Sequence, residues 1–593
     1  MKLIKSFEPL FFSLLIITYF ILGCYLISTN ALTSDEPAYI GTAYFYQKGL
    51  GYNLEHPLLL KVLNSLVLSF TFPNHPVTLP EIDPLNHLQV NLAPYEMGLR
   101  FLKASPPDFE KIIFISRFTY LLCNSALLLW LFTYTYIIKK IRSRISITLA
   151  ILFVFSPSFY SHNFLITFDS SASIFALLTV LSLAMTIAFL EQWSNKGLIF
   201  QFSTITFFLF WAINVKFSNL ILLPIVIMTY GLTAFYLYKK DDFKFLSRFG
   251  LLGGLSLLIQ PIFIAILYHY AFGSFPNQSF FDNVGRFFQG AFKTRSMVVD
   301  IVKEPFWDGN FIPINYGEYI SRIFWYKENP GLFLLVIFLI VILLKTLFTN
   351  IKKENALTKL SKVMRSQQII LVVALGFLLG IYPVLYFFLA RSSRFVIGYR
   401  HFFPVLIFIY TLLAIATVLI KTKPQKLFLS FCLTLYIVFG IAGVSQSLSY
   451  VNFFWTKDKW QFTNDSTLNW GQEHLRVAEY LITEKRLPSK NDNILIGRTF
   501  SVFGGVNEYL ETLSKKYNYP LEMETYYNTP LFDPFKSLIS KSKYQYLLID
   551  SEVMQQLVRE SKENKIALEN LNFLQNNKPI FNSNQILFIY QLR

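Results

Sequence analysis

Apolar stretches long enough to cross about 30 Å of hydrocarbon dominate the chain. There are eleven, near residues 8–29, 113–138, 145–163, 165–190, 199–214, 217–238, 249–271, 331–348, 368–389, 400–420 and 426–448. A chain with so many such runs escapes water only in lipid. There each run is expected to be helical, because a spanning backbone must satisfy its own hydrogen bonds. The expected fold is an α-helical polytopic membrane protein with about eleven transmembrane helices.

The charges between the runs agree with this count. With Lys2 and Lys5 on the cytoplasmic side, the alternate loops carry Lys139, Lys140, Arg142 and Arg144; Lys196; Lys239, Lys240, Lys244 and Arg248; six basic residues between Lys345 and Arg365; and Lys421, Lys423 and Lys426. These cytoplasmic segments hold 20 basic residues against Glu191, Asp241, Asp242 and Glu354, which accounts for nearly all of the net +17. The excess therefore reads as membrane orientation, with the N-terminus cytoplasmic and the C-terminus extracytoplasmic, and no nucleic-acid partner is expected. The first run is too long for a cleaved signal and lacks a small-x-small site, so it is read as a retained helix. Cys24, Cys123 and Cys432 lie within apolar runs, which excludes a disulfide framework and a cysteine zinc site.

Two long loops, 30–112 and 272–330, and a tail of nearly neutral charge fall on the outer side. In the tail, LRVAEYLITEKR and EVMQQLVRESKENK read as helices, and NDNILIG, YQYLLID and QILFIYQL as strands. Residues 1–449 are thus expected to form a transmembrane catalytic domain, with juxtamembrane helices in the first outer loop. Residues 450–593 are expected to form a small extracytoplasmic α/β domain. There is no internal repeat of the kind that marks many transporters.

The charges that break the pattern point to chemistry. Asp35 and Glu36 follow the first run, Asp169 lies between two apolar helices, Lys216 interrupts the 199–238 stretch, and Arg391, Arg394 and Arg400 cluster on the outer side. All seven histidines fall on that side or at its boundary. Ionisable groups at membrane depth are costly and usually functional. Lysine and arginine can snorkel to water, but Asp169 is too short to do so. Carboxylates here could supply a general base or a divalent-metal site, and Lys and Arg could hold a phosphate. A phosphate ester at a bilayer surface with its tail in lipid is a polyprenyl-phosphate sugar.

The stretch TSDEPAYIGTAYFYQKGLGYNLEHPLLLK resembles the first outer loop of the protein O-mannosyltransferase-like, lipid-carrier-dependent glycosyltransferases (glycosyltransferase family 39, GT-C superfamily). SPSFYSHNFLITFD, the GYRHFFP run and NDSTLNWGQEHLRVAEYL are similar to its bacterial branch, and together the resemblance covers about residues 30–480. It implies a GT-C fold in a bacterial inner membrane and transfer of a hexosyl or mannosyl group, with inversion, from a polyprenyl-phosphate sugar. The acceptor would be a hydroxyl on a glycan, lipid or protein at the extracytoplasmic face. It further implies a catalytic set of Asp35 as general base, Glu36 beside it in the same acidic motif, and Asp169 as the second acidic position. Glu55 and His56 would lie near the donor phosphate or a metal, and Arg400 and His401 near the carrier phosphate.

Lys216 is expected to assist at the phosphate. Asp465, Asn469 and Gln472 are expected to bond sugar hydroxyls and Trp470 to stack on a sugar, unless that segment only caps the following helix. No WWD-type motif is present, which argues against whole-glycan transfer to asparagine. The competing reading is a flippase or transporter of a lipid-linked glycan.

Overall fold

The computed structural model describes residues 2–47, 55–76, 87–135, 143–272, 279–300, 302–352, 367–484, 493–496, 509, 523–525 and 544–591. Among them, eight helices are long and apolar enough to cross a membrane: Pro9–Thr29, Pro106–Thr133, Asp169–Ala188, Asn195–Val215, Phe217–Lys239, Phe243–Phe272, Tyr399–Leu419 and Lys423–Gln446. Two further apolar runs are broken. Ser143–Val154 and Pro157–Asn163 meet at 72°, and Tyr316–Lys327 and Pro330–Thr346 at 102°. A proline opens the second half of each pair, where its ring disfavours helix in the residue before it. The eleventh run lies in the helix Gln367–Ala390, whose Gly376–Ala390 portion is a shorter apolar helix. In their described residues the eleven runs expected from hydropathy are therefore helical in the main, as eight membrane-length spans, two bent pairs and this remaining helix.

In chain order the first helices are α1 (Lys2–Thr29), α2 (Glu36–Tyr46), α3 (Leu59–Thr71), α4 (His87–Ala104), α5 (Phe109–Asn124), α6 (Ala126–Thr133), α7 (Ser143–Val154) and α8 (Pro157–Asn163). They are followed by α9 (Asp169–Ala188), α10 (Asn195–Val215), α11 (Leu222–Lys239), α12 (Phe243–Phe272) and α13 (Asp282–Asp300). Among the described residues of the loop 30–112 there are three helices, α2 to α4, in line with the helices expected there. α9 is the central span, buried along almost its whole length between α10, Gln367–Ala390 and Phe403–Ala416.

In the loop 272–330, the second loop expected on the outer side, a short antiparallel hairpin joins β1 (Phe306–Trp307) to β2 (Asn310–Phe311). The tail holds β3 (Asn493–Ile496), β4 (Met523–Thr525), β5 (Tyr544–Asp550), β6 (Phe581–Ser583) and β7 (Leu587–Gln591), in the order β4-β3-β5-β7-β6. β3 is parallel to β4 and β5, while β7 is antiparallel to β5 and β6. Helices Ser551–Glu560 and Lys565–Asn576 pack Val553, Leu557 and Leu571 against Leu547, Ile549 and Phe588 of this sheet. Phe306 of the hairpin and Trp460 join the same core, so the tail is seated on the second outer loop.

One ion pair sets the geometry where α1 meets α2. Arg117, at membrane depth in α5, is fully buried against Glu36, the first residue of α2. Its Nε and Nη2 donate to the two carboxylate oxygens at 2.9 and 2.6 Å. Its remaining donors reach the carbonyls of Ile27, Asn30 and Ala31, the end of α1 and the residues that follow. Glu36 also accepts from the amides of Thr33 and Ile166. The carboxylate assigned to catalysis from the sequence is thus saturated and closed to solvent; Glu36 holds the loop and does not face a reactant.

Removing one partner of a buried pair leaves the other charge uncompensated. Arg117→Ala and Glu36→Ala are therefore each expected to lose about 3–5 kcal/mol of stability, read as a lower unfolding temperature in detergent. Loss of activity from Glu36→Ala at unchanged stability would instead return that residue to the chemistry.

Candidate active site

The start of α2, the start of α9, the junction of α10 with α11 and the start of the span Tyr399–Leu419 converge. Each delivers one charged residue: Asp35, Asp169, Lys216 and Arg400. Asp169 is the first residue of α9, where helix amide groups favour a negative side chain. It pairs with Lys216 and lies 3.7 Å from Arg400 Nε and 3.5 Å from His401 Nδ1. Lys216 is also 3.3 Å from His401 Nδ1. Arg400 then reaches Asp35, with its Nη2 3.5 Å from Oδ2. The sequence-assigned residues Asp35, Asp169, Lys216, Arg400 and His401 thus form one cluster, although Arg400 and Asp35 are 365 positions apart.

The two carboxylates differ in availability. The Asp169 side chain is 7% exposed and surrounded by cations, whereas that of Asp35 is 23% exposed and touches a single cation edge-on. Burial pushes the Asp35 carboxyl up to about 6; the Arg400 charge opposes this, and the negative charges of Glu55 and Asp465 add to it. Asp35 is therefore a partly open carboxyl poised near neutrality, and Asp169 is the counterion that holds the cationic group together.

The guanidinium of Arg400 lies flat on Trp470, 3.9 Å from the ring centroid. Trp470 is almost fully buried and its backbone carbonyl accepts from Ser34 N, next to Asp35. The neighbouring side chains build the turn itself. Gln472 Oε1 accepts from Trp470 N and its Nε2 donates to Leu468 O, and Asn469 Oδ1 accepts from Gly471 N. Asn469 also donates to Asp550 in the tail. Asp465 pairs with Lys303 and caps Ser466 N.

The sugar-binding assignments to Asp465, Asn469, Trp470 and Gln472 are therefore corrected. Their polar atoms are taken up in a buried turn, and the indole face is covered by Arg400. The turn does not simply open a helix either: it clamps residues 31–34. Gly471 at φ +95° permits its shape, since a left-handed residue with a side chain is strained there. On the opposite wall, a Cβ at Gly398 would lie 2.2 Å from Ser466 Oγ, so only glycine lets Tyr399 and Arg400 approach the turn so closely.

Glu55 and His56 sit beside this cluster. The His56 ring lies 4.8 Å from that of Phe168 and 6.0 Å from that of Tyr39. Burial, helped by the charges of Lys61 and Lys216, holds His56 well below the usual imidazole range, so it is neutral. The possible metal role given to this pair has no third ligand: among the described residues no group of three His, Cys, Asp or Glu side chains is placed to hold an ion. Arg400 Nε, His401 Nε2 and His56 Nδ1 are buried with no hydrogen-bond partner among the described residues. Orphaned polar atoms around one carboxyl indicate a place built for a polar ligand.

Several residues here escaped the sequence reading. Arg117 is the one charge in its apolar run, but nothing local says what it pairs with. Lys61 is fully buried below His56, donates to its carbonyl, and lies 5.7 Å from the Tyr39 and Phe168 ring centroids. Lys303 reaches in from the second outer loop, and Tyr509 in the tail accepts from Leu32 N at 2.6 Å. No local pattern marks these contacts.

No family model matches the chain, and no curated protein matches it. Among solved structures, ArnT from Cupriavidus metallidurans bound to undecaprenyl phosphate aligns with TM-score 0.40 and 11% identity over 99% of this chain and 98% of its own. The apo form of ArnT aligns with TM-score 0.37 and 8% identity over the same shares. A likeness this weak says nothing about chemistry.

Trp470→Ala is expected to cost about 3–5 kcal/mol of stability, because a large buried ring is replaced by a cavity beneath Arg400. Trp470→Phe keeps an aromatic face under Arg400 and most of the packing, and should lose only about 1–2 kcal/mol, from the smaller ring and its weaker cation–π attraction. Thermal unfolding of the detergent-purified variants checks both; a fully stable Trp470→Ala protein would remove the ring from its place under the site.

Proposed function

We propose that this protein is an integral-membrane glycosyltransferase of GT-C type. In this reading it moves a sugar, of hexosyl or mannosyl type, from a polyprenyl-phosphate donor to a hydroxyl acceptor, with inversion, at the extracytoplasmic face. The observation that carries the reading is the contact of Asp35, a partly open carboxyl poised near neutrality, with Arg400 in a group that includes Lys216. A base and an anion cradle side by side are what attack on a phosphate-linked sugar requires.

The acceptor hydroxyl is a weak nucleophile, and Asp35 takes its proton as the oxygen bonds to the anomeric carbon. The bond from that carbon to the phosphate oxygen breaks, and the electron pair leaves with the phosphate. Arg400 and Lys216 stabilise the charge that develops there, so no acid is needed for this leaving group. Asp169 keeps both cations in place. The loop-charge asymmetry supports the extracytoplasmic side. A transporter reading is less well supported, because these charges lie at span ends and not along a path through the midplane.

Asp35→Asn keeps a hydrogen-bonding side chain but cannot take a proton. It is expected to leave folding and donor binding intact while transfer from a synthetic polyprenyl-phosphate sugar falls at least about 10²-fold. Near-normal transfer by this variant, or movement of the lipid between leaflets with its sugar bond intact, would defeat the proposal. The active form has Asp35 ionised, so kcat/KM is expected to rise with pH through about 6. Glu55→Gln removes a negative neighbour that raises the Asp35 value, so the acid limb should move to lower pH; a shift upward would contradict the assignment.

A further inference from the structure

The helix α13 has an outward face that nothing in the described chain covers. Phe281, just before it, and Phe288, Phe292 and Val299 are 63, 45, 67 and 69% exposed. Their spacings of seven, four and seven residues place them within one narrow stripe at 3.6 residues per turn. The opposite face is anchored. Phe287 is fully buried, with its ring 5.2 Å from that of Phe217 and 5.9 Å from that of Tyr268. Thr294, also on the anchored side, has its hydroxyl 2.6 Å from the backbone carbonyl of Glu55 and 2.9 Å from that of Gly290 in its own helix, so Glu55 is the nearer acceptor.

The occupant of the stripe follows from what it continues. α13 packs on α12, a membrane-length helix whose exposed side chains include Leu251, Leu255, Leu258, Ile262 and Ile266. α3, which begins three residues after His56, also turns an apolar side outward, with Leu66 and Phe70 at 50 and 91% exposure. A helix with an apolar stripe, a polar flank and Arg286, Lys293 and Arg295 among its charges is suited to lie in the headgroup region of a bilayer.

We propose that α13 is a membrane-surface helix, seated in the lipid headgroup region on the side of the Asp35 site, and that through Thr294 it holds the Glu55–His56 turn in position for a lipid-tailed donor. The seating stands on the helix alone; its consequence for the donor rests on the function proposed above. Without lipid under its stripe, α13 would lose the support that fixes Thr294, and the turn beside the cluster would shift.

The test uses full-length protein in phospholipid nanodiscs, with Cys24, Cys123 and Cys432 replaced by serine and a fluorophore on Phe292→Cys or on Lys293→Cys. The 292 probe should be quenched by lipids brominated high in the acyl chain and shielded from aqueous iodide, and the 293 probe should behave the opposite way. Equal access of iodide to both would overturn the seating, whether or not sugar transfer is ever detected. For the link to the site, the Phe288→Ser/Phe292→Ser double variant and, separately, Thr294→Val are titrated with a polyprenyl phosphate. The double variant should bind at least about tenfold more weakly, because the helix that positions the Glu55–His56 turn is no longer held at the surface. Thr294→Val, which keeps the stripe, should weaken binding in the same direction. Unchanged affinity in both would overturn the link and leave the glycosyltransferase reading to its own test.

Discussion

The buried pair of Arg117 and Glu36 is the constraint on which the site depends. A guanidinium has five donors in a fixed fork, and here they are spent on one carboxylate and three carbonyls. Those carbonyls belong to the end of α1 and the residues after it, where a helix leaves acceptors unsatisfied. Arg117 thus closes the helix end and fixes the start of α2 together, and Asp35 is the residue between them. A charge so deep among the spans is tolerated because every polar atom of the pair has a partner.

From that fixed point the site follows by division of labour between two carboxylates. Both Asp35 and Asp169 touch Arg400, yet only Asp35 keeps an open side. Asp169, at the start of the most buried span, gathers Lys216, Arg400 and His401 and offsets the repulsion between the two cations, Lys216 and Arg400. Asp35 is left with an incomplete set of partners and a carboxyl raised toward neutrality. Neighbouring carboxyl groups whose surroundings push their properties apart are a common basis for assigning proton chemistry.

The tail is part of this arrangement. Residues 460–472 run back into the transmembrane half, place Trp470 under Arg400 and bond residues 31 and 34 through Gln472 and Trp470. The α/β unit holds that segment from outside. Gln555 donates to the carbonyls of Trp460 and Thr463, Asp550 accepts from Asn469, and Glu552 accepts from Asp465 N. At the neighbouring span break Lys327 donates to the carbonyls of Leu448, Tyr450 and Thr467, so the turn is tied to the bilayer part as well. A division at residue 450 describes the chain's composition, but the wall of the site crosses it.

The sequence by itself determined the apolar runs, the loop charges that alternate between them and the strands of the tail. Each is a local consequence of the cost of exposing backbone or charge to lipid, or of side-chain alternation. It also pointed to Asp35, Asp169, Lys216, Arg400 and His401, since ionisable groups beside apolar runs stand out. Only the tertiary structure decided which of them have free sides. Glu36 and Asp35 are adjacent in sequence and alike in charge, but one meets a buried arginine 81 positions away and the other meets the edge of Arg400. Trp470 reads as a stacking surface for a sugar until Arg400 is found lying on it. Arg117 and Lys61 carry no motif; their roles exist only in contacts between distant segments, which no spacing along the chain records.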